Sequence, residues 1–122
     1  MLRESKALRR VSKICLALPD ASVERSGSHA TFRVRKKVFA YFLDNHHGDG
    51  IVSICVKTEL GENRDLARED PKTFYLPAYI GARGWVGYRI DRGSIDWKDV
   101  AAFVKSSYCQ VAPKKLVAVT KG

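Results

Sequence analysis

Thr31-Phe32-Arg33-Val34-Arg35-Lys36-Lys37-Val38-Phe39-Ala40-Tyr41-Phe42-Leu43 is the stretch that decides the fold. In its first half Phe32 and Val34 alternate with Thr31, Arg33 and Arg35, the period of two expected when a β-strand buries one face and wets the other. Lys36-Lys37 interrupts the alternation, and Val38 to Leu43 follows as an aromatic-rich strand. Asn45-His46-His47-Gly48-Asp49-Gly50 is dense in turn residues and ends in the Asp-Gly pair typical of hairpins, after which Ile51 to Val56 returns as a strand. These segments read as an antiparallel meander.

Upstream, Leu8, Val11, Cys15 and Leu18 recur at helical spacing from about Arg3 to Leu18, with Pro19 as a stop. Arg3, Lys6, Arg10 and Lys13 fall at three- and four-residue steps on a flank of this helix, making one polar face cationic. Val23-Glu24-Arg25 is a candidate short strand before the loop at Gly27. Downstream, Asn63 to Glu69 predicts a short acidic helix, and Pro71 and Pro77 frame an irregular stretch containing Phe74 and Tyr75. Gly81-Ala82-Arg83-Gly84 turns into a strand from Trp85 to Ile90. Asp96 is a natural N-cap for a helix that carries Val100, Phe103, Val104 and Tyr108 on one face and runs to about Tyr108. Helix, consecutive strands, helix is an α+β order: a mainly antiparallel sheet with the N- and C-terminal helices packed on one face. Residues 1–112 form a single domain, and 113–122, with Pro113-Lys114-Lys115, are expected to be a frayed basic tail.

Composition agrees with one globular domain: 122 residues, 45% hydrophobic and 29% charged. The longest uncharged apolar runs are strand-length, well below the ~18 residues of a membrane span. The apolar stretch Ile14 to Leu18 ends at Pro19, too short for a secretory signal, so a cytoplasmic location without membrane contact is expected. Cys15, Cys55 and Cys109 form no CxxC and lie among apolar neighbours, which suits reduced buried thiols. Net charge is +9 and unevenly spread: residues 1–37 hold ten Lys or Arg against three acids, 38–70 hold three against seven, and 71–122 hold nine against three. Two basic poles around an acidic middle suit a polyanion, because clustered cations release condensed counterions when they neutralise phosphates.

Catalytic constellations are thin. His29 beside Ser28 lacks an orienting third residue, the glycines at 81, 84 and 87 do not match a dinucleotide fingerprint, and no phosphate-loop lysine follows them. Gly81-Ala82-Arg83-Gly84 imitates a GxxG clamp but enters a strand, which makes a plain turn the better assignment. The chain therefore reads as non-enzymatic, with no cofactor. His46-His47 with Asp49 is the one candidate metal cluster, without a preorganised shell, and no metal is expected there. Most aromatics fall at core positions; Tyr75, Tyr79 and Tyr88 flank turns, where one is a candidate to stack on a base beside Arg83 or Arg89.

From about Leu8 to Lys115 the chain resembles the MmcQ/YjbR family. The resemblance is carried by Leu16-Ala17-Leu18-Pro19-Asp20-Ala21, His29-Ala30-Thr31-Phe32-Arg33-Val34 through Lys37 into Phe39-Ala40, Tyr79 with Gly81, and Gly84-Trp85-Val86. Asp96-Trp97, Ser107-Tyr108 and Ala112-Pro113-Lys114 complete it. It implies a compact α+β fold similar to the CyaY/frataxin-like architecture, with protruding hairpins in a double-wing arrangement and a proposed DNA-binding role. Relatives often carry Gly in the hairpin turn, where this chain has Lys36-Lys37. Frataxin-like folds present carboxylates from the first helix; here Arg3, Lys6, Arg9, Arg10 and Lys13 stand against Glu4, a set that repels a hard cation.

Weakly specific binding of DNA or another nucleic acid by a monomer follows as the expected function. Arg33, Arg35, Lys36 and Lys37 on the first hairpin, rather than the first helix, are the expected contacts, with Arg83, Arg89 and Arg92 as a second patch. The alternative is a protein-interaction module that docks a charged partner or a second copy through the acidic middle, Glu59 to Asp70, and the basic poles. For the histidine pair, the purified protein should retain no stoichiometric metal and keep its melting temperature in chelator. An equimolar transition metal whose removal lowers that temperature would make His46, His47 and Asp49 a site.

Overall fold

The computed structural model describes residues 5–45 and 48–120; Arg3, Glu4, His46 and His47, and the expectations that rest on them, lie outside the described residues. Ser5 caps α1 (Lys6–Leu16), its hydroxyl accepting the Leu8 N–H at 3.0 Å. The period-two stretch forms β2 (His29–Val34) and β3 (Lys37–Asp44), followed by β4 (Val52–Lys57), all antiparallel. The expected short strand around Val23 is longer: β1 (Ala21–Ser26) pairs with β2 along its whole length. After α2 (Glu62–Glu69), the stretch between Pro71 and Pro77 is not wholly irregular, because β5 (Phe74–Tyr75) adds an edge strand. Ile80–Arg83 is a 3₁₀ turn leading into β6 (Trp85–Arg89), and the sheet order is β1-β2-β3-β4-β6-β5. Gly84 closes that turn at φ +95°, where a Cβ would come within 2.8 Å of the Thr58 carbonyl oxygen.

One sheet face buries Ala30, Phe32, Val34, Phe42, Ile54, Val56 and Val86 beneath α1 and α3 (Trp97–Val111). Strict alternation fails at one point. The register passes from Phe32 opposite Ala40 to Arg33 opposite Val38, leaving Phe39 as an extra residue in β3. The bulge lets consecutive residues, Phe39 and Ala40, both be buried, and the Phe39 ring meets Tyr108 edge-on at 5.4 Å. Beyond the Ala40–Val56 pair the β3–β4 ladder stops, and the buried Ser107 hydroxyl takes its place. It accepts the Lys57 N–H at 2.9 Å and donates to the Phe39 carbonyl at 2.6 Å.

Asp96 caps α3 as expected, accepting the N–H groups of Lys98 and Asp99, and the helix continues three residues past Tyr108. The Tyr108 hydroxyl donates to the Pro19 carbonyl at 2.7 Å, and the Arg10 guanidinium lies over the Trp97 ring at 5.2 Å. These two contacts set α1 and α3 side by side in the same direction. Buried Asn63 fixes α2 to the strand side by donating to the carbonyls of Gly81 at 2.8 Å and Trp85 at 2.9 Å. The expected frayed tail is instead α4 (Lys114–Thr120) over most of its length, with Leu116 packed against the core. Pro113 precedes it, its carbonyl accepting the first bonds of the helix from Leu116 and Val117.

Ser107→Ala should cost about 2–4 kcal/mol in urea unfolding, because it leaves a buried N–H and a buried C=O without partners. A loss below about 1 kcal/mol would mean that the ladder recloses without the hydroxyl.

Candidate nucleic-acid interface

Val34 pairs with Lys37, so the hairpin closes through two residues, Arg35 and Lys36, with φ +49° and +73°. Two positive φ values are the type I′ pattern that matches strand twist, usually met by Asn-Gly, and each non-glycine residue held there costs ~1–2 kcal/mol. An ion pair holds the turn: Arg35 Nε and Nη2 each lie 2.9 Å from Asp20 Oδ2, just after α1. Arg33 projects from the opposite face to Phe32 and meets Glu24 of β1, Nη1 to Oε1, at 2.8 Å. Two of the four hairpin cations are thus matched by carboxylates, while Lys36 and Lys37 are exposed and, among the described residues, without an acidic partner.

The remaining predicted cations are not brought together. Arg83 is exposed where the 3₁₀ turn enters β6, and Arg89 ends that strand. Arg89 grips Asp91 through Nε and Nη2, each at 3.1 Å, and Asp91 also accepts the Val52 N–H at 3.2 Å. Burial works against ionisation of Asp91, yet the Arg89 guanidinium and the Val52 N–H outweigh it and hold the carboxyl below the usual range. Arg92 lines a cleft of about 200 Å³ together with Asp70, Asp96 and Asp99.

α1 presents the denser cationic surface. Lys6, Arg9, Arg10 and Lys13 line one shallow groove of about 230 Å³, and among the described residues no carboxylate pairs with them. The signal lay in the sequence as cations at i, i+3, i+4 and i+7; what it could not show was that the hairpin arginines would be matched and the helix cations left open.

On the sheet face away from α1 and α3, Ser53 and Cys55 of β4 are buried. Tyr75 folds over Gly87, where any side chain would overlap its ring, and its hydroxyl lies 2.7 Å from Ser53 Oγ and 3.8 Å from Cys55 Sγ. Burial pushes the Cys55 thiol up to about 11 and raises Cys15 further, so neither is poised as a thiolate. Tyr88 donates to Asp99 Oδ2 at 2.7 Å; burial, then the Asp99 carboxylate, push its hydroxyl up. Of the three tyrosines flanking turns, Tyr75 and Tyr88 are therefore engaged inside, and Tyr79 is 94% exposed. His29 Nε2 lies 3.0 Å from the Asp44 carbonyl, tying β2 to the end of β3. Among the described residues no three His, Cys, Asp or Glu side chains form a metal-sized group, and no helix is long and apolar enough to cross a membrane.

The sequence model of the YjbR family matches residues 16–110, well over half of the chain. The chain belongs to the YjbR family. A search of curated proteins finds no match. Among solved structures, this YjbR-family chain is similar to the crystal structure of the Deinococcus radiodurans protein DR2400, which carries a DUF419 domain. The two share 15% identity at a TM-score of 0.69, over 94% of this chain and 83% of that one, a likeness of fold. The family resemblance of the sequence and the α+β architecture are both borne out.

In native protein at pH 8 a thiol reagent should modify at most one of the three cysteines, the half-buried Cys109, and all three in denaturant. Rapid modification of two or more would show that the covering of Cys15 or Cys55 opens readily.

Proposed function

We propose that this YjbR-family chain is a non-enzymatic cytoplasmic domain that binds nucleic acid as a monomer, through phosphate contacts with little sequence preference. The observation that carries this is the unmatched cationic groove of Lys6, Arg9, Arg10 and Lys13 on α1, continued past the end of that helix by exposed Lys36 and Lys37. Clustered cations without internal carboxylate partners gain most from neutralising phosphates, because no ion pair must first be broken. Arg33 and Arg35 join as secondary contacts, since exposed ion pairs contribute only ~0–1 kcal/mol and a phosphate can replace the carboxylate. Exposed Arg83 is a further contact, whereas Arg89 is paired with Asp91 and Arg92 lines a cleft with three aspartates, so both contribute less. Weak specificity is the expectation because the open cations of α1 suit phosphate contacts and no Asn or Gln stands among them to read an adenine edge. The buried, protonated thiols of Cys15 and Cys55 support the non-enzymatic assignment.

A second reading, docking of a charged protein partner, draws on α2, which exposes Glu62, Asp65 and Glu69 on a molecule whose α1 is cationic.

Titration of a labelled random duplex at several salt concentrations separates the two. If four to six phosphates are neutralised, the log–log salt slope should be about −4 to −5. Arg9→Glu/Lys13→Glu and Lys36→Glu/Lys37→Glu should each flatten it by about 2 and weaken all sequences alike. No binding by the folded wild type at low salt to this duplex or to a single strand of equal length would remove the nucleic-acid function and favour the protein partner; an unchanged slope in both variants would move the contact elsewhere.

A further inference from the structure

Tyr79 has a backbone that its side chain does not favour. The Ile80 N–H donates to the Ala78 carbonyl at 2.7 Å, closing a three-residue γ-turn with Tyr79 at its centre, φ +67° and ψ −56°. This positive-φ form of the γ-turn is rare and strained, and a bulky aromatic residue there is an outlier. The surroundings impose it: Gly81 N–H donates to the Pro77 carbonyl at 2.9 Å, and Asn63 holds the Gly81 carbonyl at 2.8 Å. Strain of this kind persists where neighbouring structure over-determines it, and it concentrates at ligand sites.

Its effect is to lift the ring off the protein. Tyr79 is 94% exposed, beside a largely apolar recess of about 240 Å³ that it lines with Tyr41, Leu43, Ala78 and Ile80. That volume is below the ~300–1,000 Å³ of small-molecule pockets and leaves room for a single flat ring. The setting is cationic. Arg83 is exposed at the end of the same 3₁₀ turn. Lys57 ends β4 opposite Trp85, two residues after Arg83, so these two cations share one end of the central strands. A flat ring attached to a polyanion fits both features.

We infer that Tyr79 is a stacking site for an unpaired base, so that the preferred ligand of this chain is single-stranded nucleic acid. The strand enters past Lys57 and Arg83 and lays one base in the recess against the Tyr79 ring. This rests on the nucleic-acid function proposed above and names its substrate class. A duplex keeps its base faces stacked inside and offers Tyr79 nothing. Stacking is tolerant of base identity, in keeping with weak specificity.

The test uses the full chain with a fluorescein-labelled oligothymidylate, a duplex of equal length and an abasic strand of equal charge. Tyr79→Ala should weaken oligothymidylate binding by about 5- to 100-fold, leave duplex binding unchanged, and bring oligothymidylate down to the level of the abasic strand. Tyr79→Phe should bind as wild type does. Tyr79→Gly, which relieves the backbone strain and removes a ring with little packing, should show the same binding loss with an equal or higher melting temperature. Unchanged oligothymidylate binding by Tyr79→Ala, or an equal loss on duplex, overturns the stacking site while the phosphate-binding function stands. A melting temperature of Tyr79→Gly several degrees lower overturns it too, by making Tyr79 a packing residue. Absence of wild-type binding to every probe overturns both.

Discussion

The Ser107 hydroxyl stands where the next rung between β3 and β4 would be, and much of the molecule is arranged around that substitution. A direct rung there would hold Phe39 in the strand pleat. With the hydroxyl between Lys57 and Phe39, β3 bulges, two consecutive residues turn inward, and α3 is fixed to the sheet at that height. The next residue, Tyr108, then reaches the Pro19 carbonyl and places the chain that leaves α1. One residue further on, Asp20 meets Arg35. Helix and bulge are thus linked by short polar contacts of two adjacent residues of α3, each buried or half-buried, where the loss of a partner is costly, and the exposed Asp20–Arg35 pair extends the link to the hairpin turn.

Charge is distributed by the same connections. β1 runs beside β2 and supplies Glu24, and the turn before it supplies Asp20, to the hairpin arginines, whereas no carboxylate among the described residues pairs with the open cations of α1. Formal charge in the sequence therefore overstates the hairpin and understates the helix. The acidic middle is split as well: Asp65 is occupied by Arg68 within α2, and Asp70 lines a cleft with Asp96, Asp99 and Arg92.

Much of this architecture was legible in the sequence. The alternation at Phe32 and Val34, the turn residues before Ile51, and the Asp96 cap each named an element that the structure contains. What was hidden depends on non-local pairing. Phe39-Ala40 reads as apolar in either register, so the bulge leaves no mark. Ser107 looks like an ordinary polar position in a helix, because its partners lie 50 and 68 residues away. The burial of Ser53 and Cys55 on the second sheet face comes from Tyr75 crossing Gly87, a contact made only once β5 and β6 pair. Lys114-Lys115 suggested a solvated end, yet Leu116 gave the following helix an apolar anchor. The strain at Tyr79 was also invisible, since positive φ is usually announced by glycine or asparagine and neither is present.

The parallel run of α1 and α3 has an electrostatic result of its own. Two neighbouring helices pointing the same way add their macrodipoles, leaving about half a negative elementary charge on each C-terminal end. Those ends face the region where Arg35 and Asp20 meet and where Lys13 closes α1, while the opposite end of α3 is capped by Asp96 with Asp99 in its first turn. The basic hairpin thus stands against a built-in negative field, which lets cations crowd one end of a +9 chain at a smaller cost in self-repulsion than their number implies.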